Sequence, residues 1–188
     1  MRERMRRLAA AGLDYLVILS WMMVLGVIST VIFLIRGELP DTLGTIGPLG
    51  SQLVYFLLLT LVVGIYLYKT ESGAHHATWG KRRMGLQVRS VSGEVPGRMD
   101  ILLRTVVKLL PWESAHFFIW QMMYVYYQRG YDATPPVWIF VGLNAVSFTA
   151  LVYLLLVLIT GRGPHDLAAR TMVFDREVVE PIRNESRG

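Results

Sequence analysis

The chain has 188 residues, of which 53% are hydrophobic, and a formal net charge of +5. It has no cysteine, which excludes disulfides, thiolate metal sites and thiol catalysis. Its apolar residues stand in long uncharged blocks instead of recurring at helix or strand period, which excludes an ordinary soluble domain.

The first block, Tyr15–Ile35, follows the basic entry MRERMRR and predicts a helix over 6–35 with a span at 8–35. The pairing of basic start and apolar run is also that of a signal peptide. The run is too long for one, and no small-residue cleavage pattern follows near Ile35, so it is read as an uncleaved span. A turn rich in Gly and Pro (Arg36–Pro48) leads to a second span over 49–68, with Tyr55, Tyr66 and Tyr68 as candidate interface anchors. In the polar segment Lys69–Gly97, the stretch GLQVRSVSGEVPG predicts two short extended pieces joined at Ser92-Gly93.

Met99–Leu110 is amphipathic at helical period, with Asp100, Arg104 and Lys108 on one face. Such a helix can lie in the membrane interface with its basic side chains reaching the headgroups. Pro111 stands where a new helix would start, with Glu113 in its first turn. The third apolar segment, 109–128, either crosses the bilayer or lies in its interface. The last span, 137–159, starts after Pro135-Pro136, and its Asn144 and Ser147 are expected to hydrogen-bond to another helix. The expected organisation is a single membrane domain over 1–175, then a polar, mobile tail over 176–188.

Lys and Arg are concentrated at the N-terminus and between the second and third apolar segments. The turns after the first span and before the last carry only Arg36 and Arg129. The positive-inside rule then places the N-terminus and the large loop in the cytoplasm. Four crossings put the C-terminus there as well, whereas three put it outside. The fold class expected is an all-α, four-helix transmembrane bundle of the bacterial inner membrane, with a polar cytoplasmic loop. Topology accounts for the basic charge, so nucleic acid is not an expected partner.

Ionisable residues at the ends of apolar helices carry most of the remaining information. Arg7 and Asp14 lie two turns apart on nearly one helix face, about 10 Å along the axis. They are too far apart to pair readily, so each is free to meet another helix. Asp14 reads either as a proton- or cation-binding carboxylate or as a structural acceptor. His165-Asp166 follows the last span, and four crossings would allow an Arg7–Asp166 ion pair, acting as a structural lock or as a gate. His75, His76 and His116 have no metal-ligand spacing around them and read as loop or packing histidines.

Three patches together resemble the RDD family of small bacterial membrane proteins, named for an arginine and two aspartates. RRLAAAGLD supplies Arg7, Ala10 and Asp14. TWGKRRMGLQV supplies Gly80, Lys81, Gly85, Leu86 and Val88, with Arg104 the best match for a following arginine. PHDLAARTMV supplies His165, Asp166, Leu167, Ala168, Thr171 and Val173, and departs at Arg170, where the family has glycine. The resemblance implies a multi-span fold with the motif residues gathered on the cytoplasmic side. It also implies transport, including cation/proton exchange in some members.

Two functional expectations follow. One is transport of cations and protons through an intramembrane carboxylate, with Arg7, Asp14, His165 and Asp166 as ion-path candidates. Four helices enclose little volume, so transport would need a second copy or a membrane partner protein. The other is a non-transporting module that docks a partner complex through the basic loop. In that loop Gly80, Lys81, Arg82, Arg83, Gly85 and Arg104 are motif and lipid-headgroup candidates, anionic headgroups attracting about 1 kcal/mol per basic residue. No nucleophile–base pair, metal or cofactor constellation is legible, so an enzyme is not expected.

Overall fold

The computed structural model describes residues 2–176, so the tail expected over 176–188 lies outside them apart from Arg176. The element order is α1 (Arg2–Arg36), α2 (Thr42–Tyr55), a π-helical turn (Phe56–Thr60), α3 (Leu61–Ser72), α4 (Trp79–Arg83), β1 (Leu86–Ser90), α5 (Arg98–Arg129), α6 (Val137–Thr160), α7 (Pro164–Ala168) and β2 (Thr171–Asp175). Among the described residues, three helices are long and apolar enough to cross a membrane: Arg4–Arg36, Thr42–Ser72 and Val137–Thr160. The chain divides into two compact units, one from Met1–Ile18, Val63–Lys108 and Tyr153–Gly188, the other from Leu19–Val62 and Leu109–Val152.

The first unit holds the polar loop and a small sheet. Strand β1 pairs antiparallel with β2, Leu86 opposite Asp175 and Ser90 opposite Thr171. This corrects the expected hairpin about Ser92-Gly93. A tight turn does form there, the Gly93 N–H bonding Ser90 O at 2.9 Å, but the second extended piece never becomes a strand. Pro96 has no N–H to offer a ladder, and α5 begins two residues later, so too little chain remains. The distant segment TMVFD takes the place instead, setting Val173 against the fully buried Val88. Ala10 of α1, Leu86 and Val173 form the apolar core beside it.

A second correction concerns α5. The amphipathic segment and the third apolar segment are one helix running through Pro111. A proline at 111 deprives the Val107 carbonyl of its helical donor. The Tyr153 hydroxyl donates to that carbonyl at 3.2 Å, so the helix continues without an orphaned acceptor. Asp100, on the same face of this helix as Arg104 and Lys108, accepts from the Gly97 N–H at 3.0 Å and caps the helix start.

In the second unit α2 is broken at Gly47, whose φ of +68° a residue with a Cβ would resist, and Pro48 restarts the helix. The second half of α5 meets this apolar segment at three levels. The Tyr127 hydroxyl donates to Asp41 at 2.6 Å, Trp120 stacks on Tyr55 with centroids 4.8 Å apart, and Glu113 accepts from the Thr60 hydroxyl. Asn144 and Ser147 bond back to Phe140 and Leu143 carbonyls of their own helix, each at 2.8 Å, and not across helices as expected.

Candidate functional site

The motif residues meet within the first unit, in two polar clusters. The first is built on α1. Asp14 accepts at Oδ1 from the Tyr66 hydroxyl and the Gly80 N–H, both at 2.8 Å, and at Oδ2 from the Thr78 hydroxyl. Thr78 is the N-cap residue of α4, so the carboxylate fastens the start of that helix to α1. The Tyr66 oxygen in turn accepts from the Trp79 N–H at 3.1 Å. Both oxygens of Asp14 are therefore occupied by protein donors.

Arginines of the same helix turn hold the C-terminal segment. Arg7 donates to the carbonyls of Gly161 and Val173, the latter at 2.6 Å. Arg6 pairs with Asp175 and donates through Nε to the Met84 carbonyl at 2.9 Å. The expected Arg7–Asp166 ion pair is absent among the described residues. Asp166 pairs with Arg104 instead, because Arg7 is spent on backbone carbonyls while Arg104 of α5 is buried beside α7.

The second cluster is centred on Arg104, 1% exposed. Its Nε lies 2.9 Å from Glu71 Oε2, and its Nη1 pairs with Asp166 and donates to Thr171 Oγ1 at 2.8 Å. Glu71, fully buried at the end of α3, also takes Lys81 and Lys108 on Oε1, the latter at 3.3 Å. Asp166 Oδ2 accepts from the Gly163 N–H at 2.9 Å, closing the first turn of α7. Four elements and a strand are thus tied by one buried network. Such a network specifies an arrangement more than it stabilises one, since each charge has been taken out of water.

Glu71 was not singled out by sequence reasoning. The signal was a deficit: Arg104 and Lys108 share a helix face with one acid, Asp100, so a single carboxylate of that face stands against two cations. The six loop candidates separate by role. Lys81 and Arg104 face inward to acids, Gly80 abuts α1, and Gly85 turns the chain at φ +66°. Only Arg82 and Arg83 are exposed, Arg83 lying over the Trp79 ring at 5.5 Å.

His165 is held neutral. Burial disfavours its charged form, the cations Lys108 and Arg104 add to this, and its pKa falls to about 3 despite Asp166 beside it. Burial alone would raise the Asp166 carboxyl, but the Arg104 charge outweighs it and holds the group below its ordinary value. Both shifts have the same consequence in acid. An unfolded histidine takes its proton near pH 6.5, whereas the folded one refuses it down to about 3, so stability present above 6.5 is lost across that window. Asp166 adds a further loss once pH falls through its lowered value. Thermal unfolding in detergent should therefore shift steadily downward from about pH 6.5, and His165→Asn should flatten the part of the slope above pH 4.

Arg170 adopts φ +49°, the left-handed region that suits glycine, and its carbonyl accepts from the Val91 N–H at 3.0 Å. The turn that a glycine would make is thus kept with an arginine in it. Arg170→Gly should raise stability by about 0.5–1 kcal/mol, read as a higher unfolding temperature, because it relieves a strained backbone without removing a side chain the sheet uses.

Three apolar helices of spanning length, with polar clusters at the ends of the first two, define a membrane protein. The model of the RDD family matches residues 2–170, and the chain belongs to that family. No curated protein and no solved structure matches it.

Proposed function

We propose that this chain is a four-crossing protein of the bacterial inner membrane, with both ends cytoplasmic, that moves protons against a monovalent cation. The fourth crossing is supported by the three contacts of α5 with the Thr42–Ser72 segment, at Asp41, Tyr55 and Thr60. A helix that follows a spanning segment over this length shares its depth. The observation that carries the transport reading is the presence of carboxylates, Asp14 and Glu113, within the otherwise uncharged stretches 8–35 and 109–128. Placing a charge at the centre of a span costs about 2.5–3.5 kcal/mol on insertion scales, and such residues mark ion pathways more often than not. The Arg104 network acts in this reading as the fixed cytoplasmic frame.

The test is flux in reconstituted vesicles. Wild-type protein should acidify or alkalinise the lumen on addition of Na⁺, K⁺ or Li⁺; no flux with any of the three at several pH values ends the reading. A second reading, a docking module, is favoured by exposed Arg82 and Arg83 beside Trp79. Photocrosslinkers at positions 82 and 83 should then recover one reproducible protein. Recovery of lipid alone would identify the patch as a headgroup anchor and remove that reading.

A further inference from the structure

The two clusters of the first unit use up their carboxylates. Asp14, Glu71 and Asp166 are each held by several donors or cations, and a proton or cation arriving there would have to displace them. The second unit is different. Its four helical stretches, 19–36, 42–62, 109–129 and 137–152, carry one acid among them, Glu113.

Glu113 has a directed donor chain. Trp112 Nε1 donates to Thr60 Oγ1 at 3.2 Å, and an indole N–H can only donate. The single Thr60 proton is thereby sent to Glu113 Oε1. Thr60 is 4% exposed and closes the π-helical turn Phe56–Thr60, a wide turn whose Leu58 carbonyl accepts from the Trp21 indole at 2.9 Å. Such turns recur at functional sites because they aim one side chain out of helical register. The other oxygen of the carboxyl, Oε2, has no hydrogen bond among the described residues.

A second observation lies along the same helix pair. Ser51 is fully buried, and neither its Oγ nor the buried Trp120 Nε1 has a partner among the described residues. Trp120 stacks on Tyr55, one turn from Ser51, and Asp41 with Tyr127 closes the far end of the seam. Buried polar groups without a protein partner are where internal water resides. From Ser51 to Thr60 is about 13 Å along the helix, a gap a few waters and the seam hydroxyls cover.

We infer that Glu113 is the proton-binding carboxyl of this protein, reached through the polar seam between α2 and α5. This deepens the transport reading by moving the exchanging group from Asp14 to Glu113. Few other titratable groups attend it. His116, one turn along α5, packs at a tilt against Trp112 with centroids 4.5 Å apart; the facing apolar segment brings Tyr55; α1 from residue 19 brings only Arg36 at its end; and α6 to residue 152 brings none.

The test is labelling by dicyclohexylcarbodiimide in reconstituted vesicles, located by mass spectrometry. The reagent takes only the protonated carboxyl: the acid O–H adds across a C=N bond, the carboxyl oxygen bonding carbon and the proton going to nitrogen, and nothing leaves. Glu113 should be modified at low pH and spared at high pH. Glu113→Gln should abolish the adduct. Thr60→Val removes the hydroxyl that donates to Oε1 and should change the extent of labelling at a fixed pH with the protein folded. Trp120→Phe keeps the stack, removes the N–H and should leave labelling intact while slowing flux several-fold. Absence of a Glu113 adduct between about pH 5 and pH 9, or labelling indifferent to pH and to Thr60→Val, overturns the inference. Labelling needs no transport, so pH-dependent labelling without flux defeats the transport reading alone, and flux without labelling defeats this one.

Discussion

Glu71→Gln is expected to destabilise the protein by about 3–5 kcal/mol, more than any substitution in the arginine–aspartate motif itself. Glu71 is touched by three cations, Lys81, Arg104 and Lys108, and it is fully buried. Neutralising it leaves those cations facing one another, with Asp166 answering only Arg104. Asp166→Asn removes a single ion pair, and an amide oxygen can still accept from Arg104, so its cost should be about 1.5–3 kcal/mol. The order of the two is the informative part, and denaturation in mixed micelles reads it. A double-variant test isolates the cause: Glu71→Gln with Lys108→Met removes one of the stranded cations and should recover part of the loss. If the double variant is no more stable than Glu71→Gln alone, charge balance is not what Glu71 supplies.

The contrast between Asp14 and Glu71 shows what a linear chain discloses. Asp14 was visible because it interrupts an apolar run near its start, and the sequence left open whether it is reactive or structural. Three donors, Tyr66 of α3 and Thr78 and Gly80 at the start of α4, now answer that position. Glu71 was hidden because it sits among polar neighbours at the end of an apolar helix, where an exposed acid would look the same. Its burial depends on Arg104, Lys81 and Lys108 folding over it from other elements, and helical period reports only faces within one element. The strand pair failed for the same reason. GLQVRSVSG announces an extended piece, but the partner 171–175 lies beyond three helices, and nearest-neighbour patterning favoured the hairpin. The helix through Pro111 is a third case: a proline is a local signal, and Tyr153, which repairs its damage, stands 42 positions later. What was legible was local or additive, namely apolar length, basic loops and the family patches. What was not legible is every contact whose two halves are far apart in the chain.

Gly80→Ala should lower stability by about 2–3 kcal/mol, against the direction that helix propensity predicts. Gly80 lies inside α4 with ordinary helical backbone, where alanine would gain up to about 1 kcal/mol if nothing stood near. A Cβ at this position overlaps the Ala10 carbonyl oxygen of α1 and comes within 3.0 Å of Asp14 Cγ. The obstacle is backbone, so no rotamer change relieves it and α4 must withdraw from α1. Withdrawal also lengthens the 2.8 Å bond from the Gly80 N–H to Asp14. Two controls separate this account from a general intolerance of change. Gly12→Ala, on α1 with nothing within 4 Å of the added Cβ, should be neutral or mildly stabilising. Ala10→Gly combined with Gly80→Ala should give no rescue, because the clash is with a carbonyl that glycine keeps. Restoration of wild-type stability in that pair would mean that the helices are separated by the Ala10 methyl group and not by their main chains, and the close approach of α4 to α1 would lose its basis.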